Sequence, residues 1–199
     1  MIKRIRVLNG DAYYDMKRQG LYTIGKKPKK GDTFNETWVK KSILSRHSHI
    51  RCIQVEFEFE TTRPVRDQLL RCTHGFVEKY VETSRPDRTG KPRDLNSLSK
   101  YLLVFNIEGM IKMFLDRLCC QTEVDTRKLV ESIKKEMMNH EDPIIQAIGF
   151  MMVPKCIWYA GCNEFQEKDC FCVTKNYTPH IIERIQRYTD NLLQLEMAF

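Results

Sequence analysis

Between Ile53 and Glu60 the chain alternates without a break, Ile53-Gln54-Val55-Glu56-Phe57-Glu58-Phe59-Glu60. Successive side chains of a strand point to opposite faces, so the pattern predicts a strand with one dry face and one wet face. Ile2 to Leu8 mixes basic and apolar residues in a similar short run and predicts a second strand, followed by a short helix or turn near Asp11 to Gln19. Elsewhere the apolar spacing changes to three and four residues. Thr33 to Ser45 reads as a short helix leading into His47. Pro64 fits the first turn of a helix, where its missing N–H does no harm, and Val65, Leu69 and Leu70 carry the apolar stripe on through Arg71. Leu103, Ile107, Met110, Ile111, Phe114 and Leu118 predict a long helix over Ser99 to Cys119. Val130, Ile133 and Met137 predict another from Thr122 to Asn139, and Ile181, Ile182, Ile185, Leu192 and Leu193 a last amphipathic helix from Pro179 to Leu195.

Two basic stretches read as loops. Gly25-Lys26-Lys27-Pro28-Lys29-Lys30-Gly31 is bounded by glycines, and a solvated surface loop is expected there rather than a nucleic-acid arm. Thr83 to Asn96 contains Pro86, Gly90 and Pro92 with Arg85, Arg88 and Arg93, and is expected to be a cationic loop. Together the elements predict an α+β fold: a small mixed or antiparallel sheet flanked by helices, with a helical C-terminal half. At 199 residues one domain over 1–199 is expected, with a Cys-rich segment at 154–175.

Composition narrows the classes. Hydrophobic residues at 42% and charged ones at 30% exclude a disordered or collagen-like chain, and no apolar run approaches bilayer length. Met1 to Leu8 lacks the uninterrupted apolar segment of a secretory signal, so a cytoplasmic location is expected. In that compartment the eight cysteines read as thiols or metal ligands rather than disulfides. Lys and Arg outnumber Asp and Glu by 33 to 26, and the net charge of +7 favours phosphorylated or polyanionic partners without choosing among them.

Candidate chemistry starts from polar residues on apolar helices, because burial obliges them to find a partner. Asn106 and Arg117 are eleven positions apart, close to three whole turns, so they share one face of the helix predicted there. Gln68 and Arg71, three apart, are neighbours on theirs. A guanidinium binds phosphate or carbonyl edges through a fork of donors, and an amide both donates and accepts. The competing reading pairs each Arg with a helix carboxylate such as Asp116 or Asp125. Arg85, beside Asp87, is either a loop contact to phosphate or a solvated charge. Cys156, Cys162, Cys170 and Cys172 supply the four thiolates that tetrahedral zinc prefers, but not as Cys-x-x-Cys pairs, so reduced packing cysteines compete with a structural zinc site. Cys119 and Cys120 are expected to fill core.

These residues resemble the signature of the flavin-dependent thymidylate synthases. Gln68-Leu69-Leu70-Arg71 is similar to the opening of that motif, and Thr83-Ser84-Arg85 to its end. A second block is collinear with the family's: Asn106 opening a helix, then Phe114-Leu115-Asp116-Arg117-Leu118, then Thr122-Glu123-Val124-Asp125-Thr126-Arg127. His47-Ser48-His49-Ile50-Arg51 before the Phe57-Glu58-Phe59 strand is also similar to a divergent branch of the family.

The resemblance implies reductive methylation of dUMP in a homotetramer with shared active sites. FAD would be the cofactor, with methylenetetrahydrofolate as carbon donor and NADPH as reductant. It places Gln68, Arg71, Arg85 and Arg117 on the substrate, with Arg117 polarising the pyrimidine, and Asn106 and His74 on the flavin. Three departures stand out: Cys72-Thr73 replace a His-Arg pair, Phe76 a Ser, and Glu108 an Arg. They keep two related readings open, a dUMP-hydroxymethylating relative and a nucleotide-binding paralogue that has lost flavin catalysis. A basic, zinc-containing nucleic-acid-binding protein is disfavoured, because the aromatics lie in apolar stripes rather than among the Lys and Arg.

Overall fold

The fold is described from a computed structural model of the chain, covering residues 1–29, 31–71, 77–92, 94, 96–161 and 178–194. Four strands, β1 (Ile2–Val7), β2 (Gln54–Thr61), β3 (Val77–Val81) and β4 (Ser99–Asn106), form one sheet in the order β1-β2-β4-β3, antiparallel at every pairing. Helices α1 (Ala12–Tyr22) and α2 (Glu36–Leu44) and a 3-10 turn (Ser48–Cys52) fall between β1 and β2. After β2 come α3 (Arg63–Leu70) and, beyond β3, the single turn α4 (Pro86–Thr89). The helical half follows β4: α5 (Ile107–Arg117), α6 (Val124–Met138), α7 (Pro143–Met151), α8 (Lys155–Tyr159) and α9 (Ile181–Gln194). The chain is therefore α+β, with an antiparallel sheet and a helical C-terminal half. Among the described residues no helix is long and apolar enough to cross a membrane.

The alternation of β2 is used as its sequence implies. Val55, Phe57 and Phe59 are buried on one face, beside Leu103, Phe105 and Tyr101 of β4 and Ile5 of β1, and this row floors one hydrophobic cluster with the helices. The opposite face carries charge, where Arg6 holds Glu56 through Nε–Oε1 at 2.6 Å and Lys3 reaches Glu60 at 3.3 Å. β3 is an edge strand. Its Lys79, Tyr80 and Val81 are exposed, and its outer side pairs with no other described strand.

The helix expected over Ser99 to Cys119 is corrected: its first eight residues are the central strand β4, and the helix begins only at Ile107. Tyr101-Leu102-Leu103-Val104-Phe105 is an unbroken apolar run, and such a run fits a central strand as well as a buried helix. Leu103 matches both periods. What separates the two elements is Asn106, whose Oδ1 accepts the Gly109 N–H at 2.8 Å and starts α5 as its N-cap. Asp11, Asn35 and Asp142 cap α1, α2 and α7 in the same way.

Two buried basic side chains organise the C-terminal half. Lys134 of α6 is fully buried, and its Nζ donates to the carbonyls of Gly149 at 2.7 Å and Phe150 at 3.1 Å in the last turn of α7. Gly149 itself brings α6 and α7 together, because a Cβ there would stand 2.6 Å from Cβ of Met137. Arg184 of α9 is 6% exposed and gathers four carbonyls: Nε donates to Ile157 (2.8 Å), Nη1 to Thr178 and Pro179 (2.8 Å each) and Nη2 to Trp158 (3.3 Å). It fastens the end of α8 to the start of α9.

Candidate functional site

The end of the sheet where β2 starts and β4 stops collects most of the candidate chemistry, because Gln54 pairs with Asn106 there. The 3-10 turn runs directly into β2, and Cys52 Sγ donates to His49 O within it at 3.0 Å. Burial pushes the Cys52 thiol up to about 11, so it stays protonated at neutral pH and is no nucleophile. At the same end, Glu108 in the first turn of α5 is held by the guanidinium of Arg46. Arg46 follows α2 with φ +48, a left-handed conformation that a non-glycine residue rarely adopts. The second oxygen of Glu108, Oε2, is buried without a partner.

Against this end lies a recess of about 430 Å³ between the C-terminal part of α1 and the 3-10 turn. Its walls are Arg18, Gln19, Tyr22, Thr23, Ser48 and His49. The His49 ring stacks between Trp38 (centroids 5.3 Å apart) and His47 (5.5 Å), and Tyr13 meets Trp38 edge-on at 5.8 Å. Gly20 makes room for it, since a Cβ on Gly20 would stand 3.1 Å from His49 Nδ1. Desolvation, then the neighbouring His47, holds the His49 imidazole below its ordinary pKa, so it is neutral at pH 7. Its Nε2 is buried with no hydrogen-bond partner.

The candidate residues from the sequence distribute unevenly around this end. Asn106 lies on it, 6% exposed, but its side chain folds back onto Gly109 rather than sharing a helix face with Arg117. It precedes the helix, so the helical spacing argument does not apply to it. Gln68 and Arg71 sit at the C-terminal end of α3, Arg71 exposed and Gln68 half-buried, and the chain returns as β3 with Val77 opposite Phe105, one residue from Asn106. Arg117 closes α5, about 16 Å along its axis from Asn106 at 1.5 Å per residue.

Arg85 is further away. Glu82 pairs with Lys100 at the opposite end of β4, about 20 Å from Asn106 for six residues of strand. There Arg85 is bound to Asp87 at 2.7 Å with both side chains more than half exposed, the solvated pairing that the sequence left open. Asp116 pairs with Lys155 at 2.8 Å and not with Arg117. Arg117 has no carboxylate partner among the described residues, and its Nε is buried without an acceptor.

His74, with Cys72, Thr73 and Phe76, lies outside the described residues, as do Arg93, Cys162, Cys170 and Cys172. Cys156 is buried at the start of α8, and among the described residues no three His, Cys, Asp or Glu side chains cluster as a metal site. The sequence reading missed Arg18, Gln19, Tyr22, Thr23 and Ser48. They are ordinary helix-end and turn residues, and only the contact of α1 with the 3-10 turn makes a wall of them. The pair His47-x-His49 was the one available signal.

The double role of Asn106 shapes any test of it. Asn106→Ala is expected to lose about 1 kcal/mol of stability through the cap alone, whereas Asn106→Ser keeps an N-cap oxygen and removes only the amide. Thermal unfolding of the two variants should separate them, and equal losses would mean that the cap is not what holds the start of α5. No protein-family model matches the chain, and no curated protein matches its sequence.

Proposed function

We propose that the chain is a flavin-dependent thymidylate synthase-like enzyme that methylates dUMP, acting as an oligomer, with methylenetetrahydrofolate as carbon donor and NADPH as reductant. The observation that carries this reading is Arg117, a guanidinium with no carboxylate partner among the described residues and with a buried, unsatisfied Nε, at the position where the sequence resemblance calls for a substrate contact. A buried donor left unpaired is costly, and an anionic or carbonyl-bearing ligand removes the cost. Arg71, exposed and without a described carboxylate partner, fits the phosphate in the same way, with Gln68 beside it on α3.

Reduced flavin supplies the hydride when bound. The residues of this chain orient and polarise: Arg117 stabilises charge developing on a pyrimidine carbonyl, and Gln68 and Arg71 fix the nucleotide. Asn106, at the end of β4 with its Oδ1 capping α5, and His49, in the recess wall, are the uncharged polar side chains this reading sets against the edge of a planar ring. Arg85 and Arg117 lie far from Asn106 within one chain, so this reading requires a site completed between copies, as a homotetramer allows.

One observation favours a second reading, a nucleotide-binding paralogue without flavin. Arg46 and Glu108 neutralise each other beside Asn106, where the resemblance expects a free cation for an anionic dinucleotide.

The colour of the purified protein separates the two. A visible flavin spectrum supports the enzyme, and a colourless protein that binds dUMP supports the paralogue. For either, Arg117→Ala should weaken dUMP binding by about tenfold to a hundredfold, the loss of one charge-assisted contact worth about 1.5–3 kcal/mol. Unchanged affinity by titration calorimetry, with the fold intact, would remove the basis of the proposal.

A further inference from the structure

The recess continues into the basic loop that follows α1. Thr23 lines the recess, and Lys26, Lys27 and Lys29 begin three residues later. The sequence predicts a solvated loop here, whereas the structure pins it at both ends. Ile24 N and Lys26 N donate to Leu21 O at 3.1 and 3.0 Å, and Gly25 N to Tyr22 O at 3.1 Å. At the far end Asp32 Oδ2 accepts Lys29 N at 3.1 Å and pairs with Lys17 Nζ at 3.2 Å. Gly25 (φ +69) and Gly31 (φ +83) make the left-handed bends that such a closed loop needs.

Asp32 is the carboxylate nearest in sequence, and Lys17 from α1 engages it. Lys26, Lys27 and Lys29 are exposed; among the described residues no carboxylate pairs with Lys26 or Lys27, while Lys29 shares the charge of Asp32 with Lys17. Arg18 adds a fourth cation from the recess wall, and Tyr22 and Ile24 at the mouth are 81% and 62% exposed. Like charges carried on a loop whose backbone is already held, beside exposed apolar side chains, attract an anion with less of the cost of ordering the loop. His49 forms part of the recess wall, and its Nε2 is buried behind that wall with no hydrogen-bond partner.

We infer that the recess holds the head of a ligand whose tail is a chain of closely spaced anionic groups, phosphates or carboxylates, laid along Lys26, Lys27 and Lys29. This rests on the recess being part of the substrate site proposed above, and it adds that one substrate or cofactor carries a multiply charged tail.

The test uses the full chain and two probes, inorganic tripolyphosphate and a pentaglutamate peptide, each compared with its single unit, orthophosphate or glutamate, by titration calorimetry. At least one chain should bind tenfold or more tightly than its unit and weaken as salt rises, since the contacts are solvent-exposed. The tighter of the two identifies phosphate or carboxylate as the tail. The triple variant Lys26→Ser, Lys27→Ser, Lys29→Ser should lose at least tenfold. Arg18→Ala should lose less, and the charge-matched control Lys100→Ser, Lys112→Ser, Lys128→Ser should lose almost nothing.

The inference is overturned if neither chain outbinds its unit, if the loop variant binds as the parent does, or if the control loses as much as the loop variant. Titration of the loop variant with dUMP should match the parent, so failure here and failure of the Arg117 contact read out separately.

Discussion

Replacing Arg184 with methionine is expected to cost about 4 kcal/mol of folding stability, within the range seen when one partner of a buried charged network is removed. Methionine fills much of the same volume, so the loss comes from four carbonyls, those of Ile157, Trp158, Thr178 and Pro179, left without their shared donor. Each buried acceptor stripped of its partner adds its own desolvation penalty. Arg184→Lys should recover little, because a single ammonium cannot reproduce the planar fork that reaches both α8 and the start of α9. Urea unfolding should show a lower midpoint at an unchanged slope. A stability loss below about 1 kcal/mol would mean that the packing of Ile185, Tyr188 and Leu192 holds α9 without this clasp.

The second large effect is a pH dependence that Lys134 imposes. Burial pushes its ammonium down to about 7, against an ordinary value of 10.5 in the unfolded chain. Between those values the unfolded state binds the proton and the folded state does not, so stability rises with pH across that window. Below about pH 7 both states are protonated, and the penalty for burying the charge is paid in full.

Relative to Lys134→Met, which does not titrate, the parent should gain about 4 kcal/mol between pH 7 and pH 10, at about 1.4 kcal/mol per unit. The facing groups move little in that range. Burial of the Tyr188 ring, 6.0 Å from the Lys134 Nζ, raises its hydroxyl, and burial raises Glu131, whose Arg127 partner opposes the shift. Denaturant midpoints of both proteins across the window measure the difference directly. A flat difference would show that the carbonyls of Gly149 and Phe150, with the dipole of α7 behind them, keep Lys134 charged throughout.

Much of the fold is legible in the sequence where one period dominates. The strict alternation from Ile53 to Glu60 leads to β2, and the stripe of Val130, Ile133 and Met137 to α6. It fails where an element is buried on both sides. Tyr101 to Phe105 sits in the middle of the sheet with Val104 only 6% exposed on the second face, so no polar residue marks a wet side and the run merges with the helix after it. β3 is hidden for the opposite reason, because Lys79, Tyr80 and Val81 are exposed and show no alternation.

The candidate site divides along a similar line. Arg117 and Asn106 stand out as polar residues in apolar surroundings, and the structure gives one an unsatisfied donor and the other a capping role. The recess walls are invisible in the sequence, because a cavity is made by two elements meeting and neither α1 nor the 3-10 turn carries the mark of it alone.

The rim of the sheet at β3 has a consequence for how the molecule behaves in a crowded solution. Among the described residues no strand pairs with the outer side of β3, and such an edge is a template on which another chain can grow, flat, apolar rims being where fibrils start. Here the rim presents a lysine at 79 between Glu78 and Tyr80, and an incoming strand would have to desolvate that charge to add itself. The lysine acts as a guard against runaway stacking, a service to solubility that does not depend on what the site at the other elements binds.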